Sequence, residues 1–404
     1  MKKRALAMLL CLLLLPVSLP CVLAETPEQR IVPAGVAELD VPCAAAVLID
    51  EDSGTVLYEK NATERRPIAS ITKVMTLLLT FEAMEEGRIS REDMVPVSEH
   101  ASSMGGSQIW LEPGEQMSLE DMLKAICVSS ANDAAVAVAE YVGGSEPAFV
   151  EQMNAEAAHL GMKDTHFENA CGLDQEEHFS TAYDVALMSR EILLNHTEVR
   201  DYCSIWTDTL RGGETQLVNT NKLLKSYQGI TGLKTGTTSR AGVCIAASAE
   251  RDGLRLIAVV LGAASGKERF EAATALLDYG FSQYENAELP MPQDAPQSLP
   301  VKRGTAENVT LQYDVPQSFL MKKGQQDTLT AELDLPQELA APVKTGDTVG
   351  TVRLQCGGES VGEFPVTAAQ DVSALSFGYC FSRLAHSLVP VSYTHLTLPT
   401  KRIV

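Results

Sequence analysis

The chain has 404 residues, 45% of them hydrophobic, and its formal net charge at pH 7 is −21. This length suits two or three domains, and the apolar content is sufficient for a sizeable buried core. An acidic protein repels polyanions, so the charge excludes nucleic acid as the main partner and argues against an anionic surface in that role.

The N-terminal segment has the pattern of an export signal. Basic residues at positions 2–4 precede an apolar run that prolines interrupt, and Ala24 is the small residue that a signal peptidase prefers. The run is short for a permanent membrane span, which is the weaker alternative. We therefore predict a signal peptide over residues 1–24 and a flexible lead-in over residues 25–40. We expect an exported, extracytoplasmic protein at the outer face of the cytoplasmic membrane.

Seven cysteines follow the predicted signal peptide, and their arrangement indicates no special chemistry. They are scattered, odd in number and include no Cys-x-x-Cys pair, so neither a zinc site nor a compact disulfide framework is predicted. Most are expected to be buried, small apolar residues. His166 and His178 lie twelve residues apart, without a third ligand at a recognisable spacing. The sequence therefore predicts neither a metal nor a cofactor.

Residues 41–285 predict an antiparallel sheet flanked by helices. The apolar runs 44–50 and 55–58 flank an Asp-Ser-Gly turn, and the runs 243–249 and 254–261 are joined through Asp-Gly, so each pair predicts a β-hairpin. Helices are predicted from about Ser70 to Met84, Leu119 to Val128, Asp133 to Val142, Thr181 to Leu194 and Glu268 to Tyr279. This order of strands, helices and strands indicates an α+β fold.

After residue 285 the sequence pattern changes to that of short strands. Residues 286–299 are rich in proline and predict a linker. Apolar residues then alternate with polar ones, and glycine and proline separate the segments, as is typical of strands. We therefore predict a small all-β domain over residues 300–368.

The C-terminal part of the chain holds two further segments. Residues 371–391 predict a helix with one apolar face, made of Phe377, Phe381, Leu384 and Leu388. Two interpretations stay open for it: an amphipathic anchor on a membrane surface, or a short helix packed on the β-domain. Residues 392–404 fit neither pattern, and we predict that they are a non-native tail in place of the true C-terminus.

Three short motifs hold the candidate chemistry of the first domain. In Ser70–Lys73, a hydroxyl and an amine lie one turn apart on one helix face, beside free backbone N–H groups. A buried amine at that place can lose its own proton and then take one from the serine. Ser130–Asn132 offers a hydroxyl for proton relay and an amide for substrate binding, and Lys234–Gly236 precedes a strand. Each motif alone is common in caps and turns, so only their order and spacing make the set specific.

The tripeptide Lys-Thr-Gly occurs twice, at Lys234–Gly236 and at Lys344–Gly346. The first copy has two partner motifs upstream and a strand hairpin directly after it. The second copy lies in the predicted β-domain, where Gly-Asp between strands is turn chemistry and neither partner motif is present. We predict that Lys234 belongs to a site and that Lys344 is a solvated turn lysine.

The three motifs resemble those of the serine penicillin-recognising enzymes, which share a set of Ser-x-x-Lys, Ser-Asp-Asn and Lys-Thr-Gly. Further segments are similar to the low-molecular-mass penicillin-binding proteins, the exported D-alanyl-D-alanine carboxypeptidases; they are Pro67–Thr76, Ser129–Ala134, Leu160–Phe167, Gly172–Asp174 and His178–Asp184. The resemblance covers about residues 40–285. It implies an α+β, β-lactamase/transpeptidase-like domain, followed by the small all-β domain.

The resemblance implies that the protein removes the terminal D-alanine from peptidoglycan stem peptides and binds β-lactam antibiotics. Ser70 would attack the carbonyl between the two D-alanines. Lys73 would act as the general base, although the identity of the base is disputed in this superfamily. Ser130 and Lys234 would return the proton to the departing D-alanine, and water would then release the shortened peptide from the acyl-enzyme.

The resemblance also implies a set of substrate-binding residues, which are Asn132, Lys234, Thr235, Gly236, Thr237 and Arg269. Asn132 would hold the peptide amide, and Thr235 would contact the substrate carboxylate. The backbone N–H groups of Ser70 and Thr237 would form an oxyanion hole. Arg269 either lies near the carboxylate site or is a solvated helix arginine.

Several alternatives to this function stay open. A class A β-lactamase shares the three motifs but needs a glutamate that activates the deacylating water, and residues 165–173 contain Glu168 outside such a setting. A transpeptidase or an endopeptidase could use the same site. A non-catalytic wall-binding or sensor protein could keep the fold, although the intact motifs argue against it. The predicted partners are stem peptides and β-lactams, with membrane-surface contact through the C-terminal segment.

Overall fold

The computed structural model describes residues 39–289, 291, 292, 295–316 and 318–387. The predicted signal peptide, the lead-in as far as residue 38 and the predicted tail therefore lie outside the described residues. Leu39, the first described residue, accepts a hydrogen bond from the Tyr58 hydroxyl at 2.9 Å. The chain is thus attached to its first hairpin from that residue onward.

The elements of the N-terminal region follow the predicted order. Its strands are β1 (Ala45–Asp50), β2 (Val56–Lys60), β3 (Met94–Pro96), β4 (Gln116–Ser118), β5 (Thr207–Leu210), β6 (Thr215–Val218), β7 (Ile230–Thr238), β8 (Gly242–Arg251) and β9 (Leu254–Ala263). Its helices are α1 (Lys73–Glu85), α2 (Glu99–Ser102), α3 (Leu119–Lys124), α4 (Asn132–Gly143), α5 (Glu146–His159), α6 (Ala182–Asn195), α7 (Val199–Cys203), α8 (Leu223–Ser226) and α9 (Gly266–Gln283).

A five-stranded antiparallel sheet lies at the centre of this region, in the order β2-β1-β9-β8-β7. Both predicted hairpins, β1–β2 and β8–β9, are confirmed. Because side chains alternate along a strand, Val47 and Ile49 of β1 pack with α1, α4 and α6, while Ala46 and Leu48 pack with α9. The sheet is therefore covered on both faces, and β7 forms one edge.

Side-chain caps explain where two of the predicted helices begin. The Ser118 hydroxyl accepts a hydrogen bond from the backbone N–H of Asp121 at 3.2 Å, which opens α3. The Thr181 hydroxyl accepts from the backbone N–H of Asp184 at 3.0 Å, which opens α6. Both contacts satisfy a backbone donor that a helix start leaves free.

The C-terminal region is an all-β domain, as predicted. Its strands are β10 (Tyr284–Glu288), β11 (Ser298–Lys302), β12 (Asn308–Tyr313), β13 (Ser318–Lys322), β14 (Leu329–Asp334), β15 (Leu339–Ala340), β16 (Thr348–Cys356) and β17 (Glu359–Ala368). Six of them form a sheet in the order β14-β16-β17-β12-β11-β15, and β10 pairs with β13. Strands β10 and β11 thus occupy the two ends of the segment 286–299 predicted as a linker. Strand β10 forms because it pairs with β13, more than 25 residues later in the chain. Local proline content does not reveal such a distant pairing.

The second Lys-Thr-Gly copy lies in an exposed turn between β15 and β16. The backbone N–H of Lys344 donates to Asp347 Oδ2 at 2.7 Å, and the N–H of Asp347 donates back to the Lys344 carbonyl at 3.0 Å. This reciprocal pair closes the turn through an aspartate side chain. The prediction of a solvated turn lysine is confirmed.

Helix α10 (Phe377–Ser387) ends the described chain within the segment predicted as an anchor or a packed helix. The Tyr379 hydroxyl donates to the Thr305 carbonyl at 2.9 Å, which connects the helix to the β-domain. Its apolar face is turned to solvent, with Phe377 88% and Phe381 63% exposed. Leu388, the last predicted member of that face, lies outside the described residues. Among the described residues, none of the helices combines the length and hydrophobicity that a membrane span requires.

Candidate active site

Ser70 lies in a turn that precedes helix α1. Residues 69–72 form a 3-10 turn and the regular helix begins at Lys73, so the prediction of a helix from Ser70 is wrong by one turn. Ala69 has φ +51, a left-handed conformation that is unfavourable for alanine. The turn leaves Ser70 half-buried and Lys73 fully buried. A hydroxyl that a ligand can reach therefore lies against a buried amine.

The Lys73 amine has three neutral hydrogen-bond partners. Its Nζ lies 2.9 Å from the Ser70 hydroxyl oxygen, 2.6 Å from Asn132 Oδ1 and 2.7 Å from the Cys171 carbonyl oxygen. Burial lowers the pKa of Lys73 to about 8, because loss of water penalises the ammonium more than the nearby Asp133 carboxylate favours it. Part of the amine population is therefore neutral near neutral pH.

The carbonyl that this amine contacts belongs to a loop, residues 171–173, that Asn169 fixes. Asn169 Oδ1 accepts hydrogen bonds from all three backbone N–H groups of the loop, at 2.7 to 3.2 Å. Gly172 has φ +84, and a Cβ at this position would lie 2.0 Å from the Ala69 carbonyl oxygen. The loop therefore packs directly on the turn that holds Ser70, and only glycine fits there.

The second motif follows a helix that changes its pitch. The helix predicted over residues 119–128 is α3 followed by a π-helical turn that ends at Ser129. Ser130 then adopts φ +61, which separates that turn from α4. Asn132 begins α4, and its Nδ2 donates to the Gly105 carbonyl at 2.6 Å. Because this contact fixes the orientation of the Asn132 amide, Asn132 Oδ1 faces the amine of Lys73.

The third motif lies on the edge strand β7, opposite the turn of Ser70. A Cβ on Gly236 would lie 2.9 Å from both the Ile68 carbonyl oxygen and the Ser70 backbone nitrogen. A Cβ on Gly172 would also lie 2.9 Å from that nitrogen. The Ser70 N–H therefore lies in a slot between two glycines, where the absence of side chains lets a ligand approach the backbone.

Lys234 is the second buried amine of the site, with 1% of its surface exposed. Its Nζ donates to the Thr235 carbonyl at 3.0 Å. Burial and the nearby Lys73 ammonium lower the pKa of Lys234 to about 7. Two amines that titrate this close together share their protonation states. An anion that enters the site meets positive charge that water does not screen.

Thr235, Thr237 and Arg269 surround the same edge of the sheet. The hydroxyl oxygens of Thr235 and Thr220 are 2.6 Å apart. Arg269 reaches the edge from α9, with Nη1 3.5 Å from Thr237 Oγ1 and 3.4 Å from the Gly236 carbonyl oxygen. Arg269 is only 8% exposed, so the alternative of a solvated helix arginine is wrong. Its guanidinium places a further positive charge behind Thr237.

His178, considered above as a metal ligand, connects two segments of the site instead. The backbone N–H of Glu168 donates to His178 Nδ1 at 3.1 Å, so the ring proton is on Nε2, which donates to Thr72 Oγ1 at 2.7 Å. Burial lowers the pKa of His178 to about 4, which keeps the ring neutral at neutral pH. Within the described residues, no group of three or more suitable side chains could hold a metal ion.

The structure brings eight of the nine predicted site residues together at one end of β7 and α1; they are Ser70, Lys73, Asn132, Lys234, Thr235, Gly236, Thr237 and Arg269. The ninth, Ser130, is buried two residues before Asn132. Sequence reasoning missed three supporting residues, Asn169, Thr220 and Asp133. The side chains of Asn169 and Asp133 accept hydrogen bonds from backbone N–H groups. Backbone partners leave no pattern of side chains in the sequence. The sequence offers one indication of the role of Asp133, which is a carboxylate at the start of an apolar, alanine-rich helix.

Comparisons with known proteins identify the family of the chain. The family model described as D-alanyl-D-alanine carboxypeptidase matches residues 32–265. The chain belongs to this family. A second model, for the C-terminal domain of penicillin-binding protein 5, matches residues 284–374. The carboxypeptidase is 42% identical to the D-alanyl-D-alanine carboxypeptidase DacF of Bacillus subtilis (strain 168) over 379 residues, which cover 93% of this chain and 96% of that protein.

Solved structures show the same relationship. Penicillin-binding protein 5 from Haemophilus influenzae matches with a TM-score of 0.75 and 31% identity, and the match covers 84% of this carboxypeptidase and 100% of that chain. Penicillin-binding protein D2 from Listeria monocytogenes, solved in its ampicillin-bound form, matches with a TM-score of 0.56 and 34% identity over 61% of this chain and 100% of that chain. The predicted α+β fold with its appended β-domain is confirmed.

These relationships confirm the predicted class of activity. The carboxypeptidase is a serine peptidase of the D-Ala-D-Ala type and a penicillin-binding protein that acts on the cell wall outside the cytoplasm. They favour this activity over the β-lactamase and non-catalytic alternatives. Penicillin-binding protein D2 from Listeria monocytogenes has been solved in both cefotaxime-bound and ampicillin-bound forms.

Proposed function

We propose that the carboxypeptidase removes the terminal D-alanine from stem peptides through an acyl-enzyme on Ser70. The observation that supports this most strongly is the 2.9 Å distance between Ser70 Oγ and the buried amine of Lys73. A serine hydroxyl is a weak nucleophile until a base takes its proton. Lys73, with a pKa of about 8, is a base of suitable strength at hydrogen-bond distance.

Burial favours the neutral form of Lys73, and its three hydrogen-bond partners are compatible with that form acting as the base. A neutral amine has two N–H groups and one lone pair. Asn132 Oδ1 and the Cys171 carbonyl oxygen can only accept hydrogen bonds, so they receive the two N–H groups. The lone pair is then directed at the Ser70 hydroxyl, whose proton it takes as the oxygen attacks the substrate carbonyl.

The attack turns the substrate carbonyl oxygen into an oxyanion that needs donors. We place it beside the Ser70 N–H, between Gly172 and Gly236, where neither neighbour carries a side chain. The family resemblance assigns the second donor to the backbone N–H of Thr237, which directly follows Gly236 on the edge strand β7. Loss of one such donor costs about 10²–10³-fold in rate, so the slot is a major part of the catalysis.

Ser130 and Lys234 form the proposed path by which the proton reaches the leaving group. Both side chains are buried, and Lys234 has a pKa of about 7, so it exchanges protons readily near neutral pH. The C–N bond between the two D-alanines breaks as the departing amine gains that proton. Free D-alanine leaves, and water hydrolyses the ester on Ser70 to release the shortened peptide.

The terminal carboxylate of the substrate is proposed to bind among Lys234, Thr235, Thr237 and Arg269. Two cations and two hydroxyls converge there, and Arg269 lies 3.5 Å from Thr237 Oγ1. The chain as a whole has a charge of −21. The two cations at the edge of β7 make the local potential positive, so this edge attracts an anion. Charge-assisted hydrogen bonds in a buried site are the strong kind, which suits recognition of a free C-terminus.

Release of D-alanine from diacetyl-Lys-D-Ala-D-Ala tests the proposal. We expect release by the unaltered enzyme and loss of release in Ser70→Ala, with an unchanged circular dichroism spectrum. Ser226→Ala is the matched control, because Ser226 is an exposed helix serine on α8. Release by Ser70→Ala at the rate of the control would remove Ser70 from the nucleophile role.

We further propose that α10 rests on the outer face of the cytoplasmic membrane. Phe377, Phe381 and Leu384 are largely exposed on one side, and the helix contains Arg383 but no acidic residue. An exposed apolar face with basic neighbours is typical of a helix that lies in the membrane interface. The contact of Tyr379 with the β-domain would hold that domain close to the lipid.

Sedimentation with anionic phospholipid vesicles tests this placement. The double variant Phe377→Ser/Phe381→Ser is expected to lower the vesicle-bound fraction several-fold, because two aromatic side chains no longer enter the interface. Met94→Ser removes an exposed apolar side chain from the N-terminal region and serves as the control. Equal binding by the double variant and the control would contradict a membrane role for α10.

A further inference from the structure

Trp110 is the most exposed large apolar side chain among the described residues of the N-terminal region, at 78%. Its backbone has φ +58, which a bulky residue adopts only when its surroundings impose it. An indole in water also forfeits a large burial energy. The protein therefore maintains two unfavourable features at one residue, and strained positions of this kind are concentrated at functional sites.

Contacts on both sides fix Trp110 in its outward position. Ile109 and Leu111 are buried, and their backbone N–H groups donate to the Asp133 carboxylate at 3.1 to 3.2 Å. Arg211 Nη1 donates to the Ile109 carbonyl at 2.9 Å. With both neighbours held inward, the side chain between them must point to solvent. Its exposure is thus built into the fold.

The same contacts place the indole beside the substrate cleft. Asp133 directly follows Asn132, and Asn132 also binds the segment that leads to Trp110. The Asn132 N–H donates to the Ser107 carbonyl at 2.7 Å, and its side chain donates to the Gly105 carbonyl at 2.6 Å. Trp110 is three residues after Ser107, so its Cα is at most about 11 Å from that wall of the cleft.

We propose that Trp110 is a stacking platform for a sugar ring of the glycan strand to which the stem peptide is attached. The inference rests on the proposed function, because it extends the same substrate beyond its terminal D-alanines. An indole offers a flat apolar face with a polar edge, which suits the C–H-rich face of a pyranose. A peptide held at Asn132 covers about 11 Å in three to four residues, so its glycan end can reach Trp110 if it runs along this wall of the cleft.

Charges around Trp110 favour a neutral ring over a carboxylate of the stem peptide. The Arg211 guanidinium is already paired with Glu115, at 2.8 and 3.0 Å. Glu112 is exposed two residues after Trp110 and adds negative charge at the surface. A second carboxylate would be repelled here, whereas an N-acetylated sugar carries no charge.

Two substrates with the same peptide test the proposal. One is a pentapeptide that ends in D-Ala-D-Ala, and the other is that pentapeptide attached to its N-acetylated disaccharide. We expect the unaltered enzyme to have a higher kcat/KM for the glycan-linked form, through a lower KM. Trp110→Ala is expected to lower the ratio of the two kcat/KM values about tenfold, and Trp110→Phe to keep most of it because the phenyl ring still stacks.

Met94→Ala is the control for loss of an exposed apolar side chain and should leave the ratio unchanged. An equal ratio in the unaltered enzyme and Trp110→Ala overturns the proposal. A Trp110→Ala enzyme that loses the same factor on both substrates also overturns it, because that result assigns Trp110 a structural role. Failure of the proposed function is distinct, since the sugar-free peptide would then release no D-alanine with any variant.

Fluorescence gives an independent measurement. The chain contains two tryptophans, so Trp206→Phe leaves Trp110 as the single indole. Addition of di-N-acetylchitobiose, a neutral N-acetylated disaccharide, is expected to shift the Trp110 emission to shorter wavelength in a saturable manner. An emission spectrum that does not change at any disaccharide concentration would count against stacking at Trp110.

Discussion

The two copies of Lys-Thr-Gly, Lys234–Gly236 and Lys344–Gly346, have opposite surroundings. In the first copy the lysine is buried on an edge strand beside a second buried amine, and the glycine faces the turn of Ser70. In the second copy all three residues are exposed in a turn closed by Asp347. The tripeptide therefore has no chemistry of its own. The first copy becomes part of a site because its lysine is buried, a second charge lies nearby and its strand edge is open.

The largest expected contrast is between Lys234→Ala and Lys344→Ala. Lys234→Ala is expected to lower kcat/KM for D-alanine release by about 10²–10³-fold, because a buried cation that faces the substrate carboxylate is lost. Lys344→Ala is expected to change it less than twofold. Steady-state kinetics with diacetyl-Lys-D-Ala-D-Ala measures both. A similar loss of kcat/KM in the two variants would show that the position of each tripeptide in the fold does not determine its function.

The glycines of the two copies give the next contrast. A Cβ at Gly236 would lie 2.9 Å from the Ser70 nitrogen, so Gly236→Ala should narrow the oxyanion slot and slow penicillin acylation about 10- to 100-fold. Gly346 has φ +86 but open space around it, so Gly346→Ala should cost about 1 kcal/mol of stability and no activity. Acylation rates and thermal unfolding of both variants measure this. A stability loss alone in Gly236→Ala would refute the slot.

The threonines provide a smaller contrast. Thr235→Val removes a hydroxyl that pairs with Thr220 and is proposed to bind the carboxylate, and we expect KM to rise about tenfold. Thr345 bonds Asp371 at the surface, so Thr345→Val should leave KM unchanged. Titration of the peptide substrate with each variant checks the pair. An unchanged KM in Thr235→Val would move the carboxylate site away from this hydroxyl.

The smallest expected effect is in the pH dependence. As pH rises through about 7, Lys234 in the free enzyme loses its proton, so binding of the substrate carboxylate should weaken and KM should rise by a few-fold. Lys234→Arg stays charged at these pH values and should abolish the rise. Lys344→Arg should keep the profile of the unaltered enzyme. The measurement is KM from pH 6 to 8.5, and a rise that persists in Lys234→Arg would assign it to another group.

Much of the fold and the site follows from sequence because local patterns determine it. The hairpins β1–β2 and β8–β9 have turn residues between apolar runs, and the caps at Ser118 and Thr181 are side-chain signals that act within three residues. The three motifs are specific through their order and spacing. Each of these features lies within a short window of the chain, where residue type and spacing are sufficient evidence.

The remaining features depend on contacts between distant parts of the chain. The Cys171 carbonyl, which accepts a hydrogen bond from Lys73, is 98 residues from Lys73 in the sequence. As a backbone group it has no side-chain signature. The close approach of Gly236 to the turn of Ser70 depends on the position of β7 in the sheet. The helix start at Ser70 was misplaced because local periodicity does not show that Ala69 adopts a left-handed conformation. Backbone geometry of this kind requires the assembled fold.

The central claim is that Ser70 is the nucleophile and that neutral Lys73 activates it. The most direct test is the rate of acylation at saturating benzylpenicillin between pH 6 and 10, with the adduct located by peptide mass mapping. We expect an adduct on Ser70 and a rate that rises with pH until Lys73 is neutral, above about pH 8. An adduct on another residue, or a Ser70 adduct that forms at the same rate across this range, would contradict it.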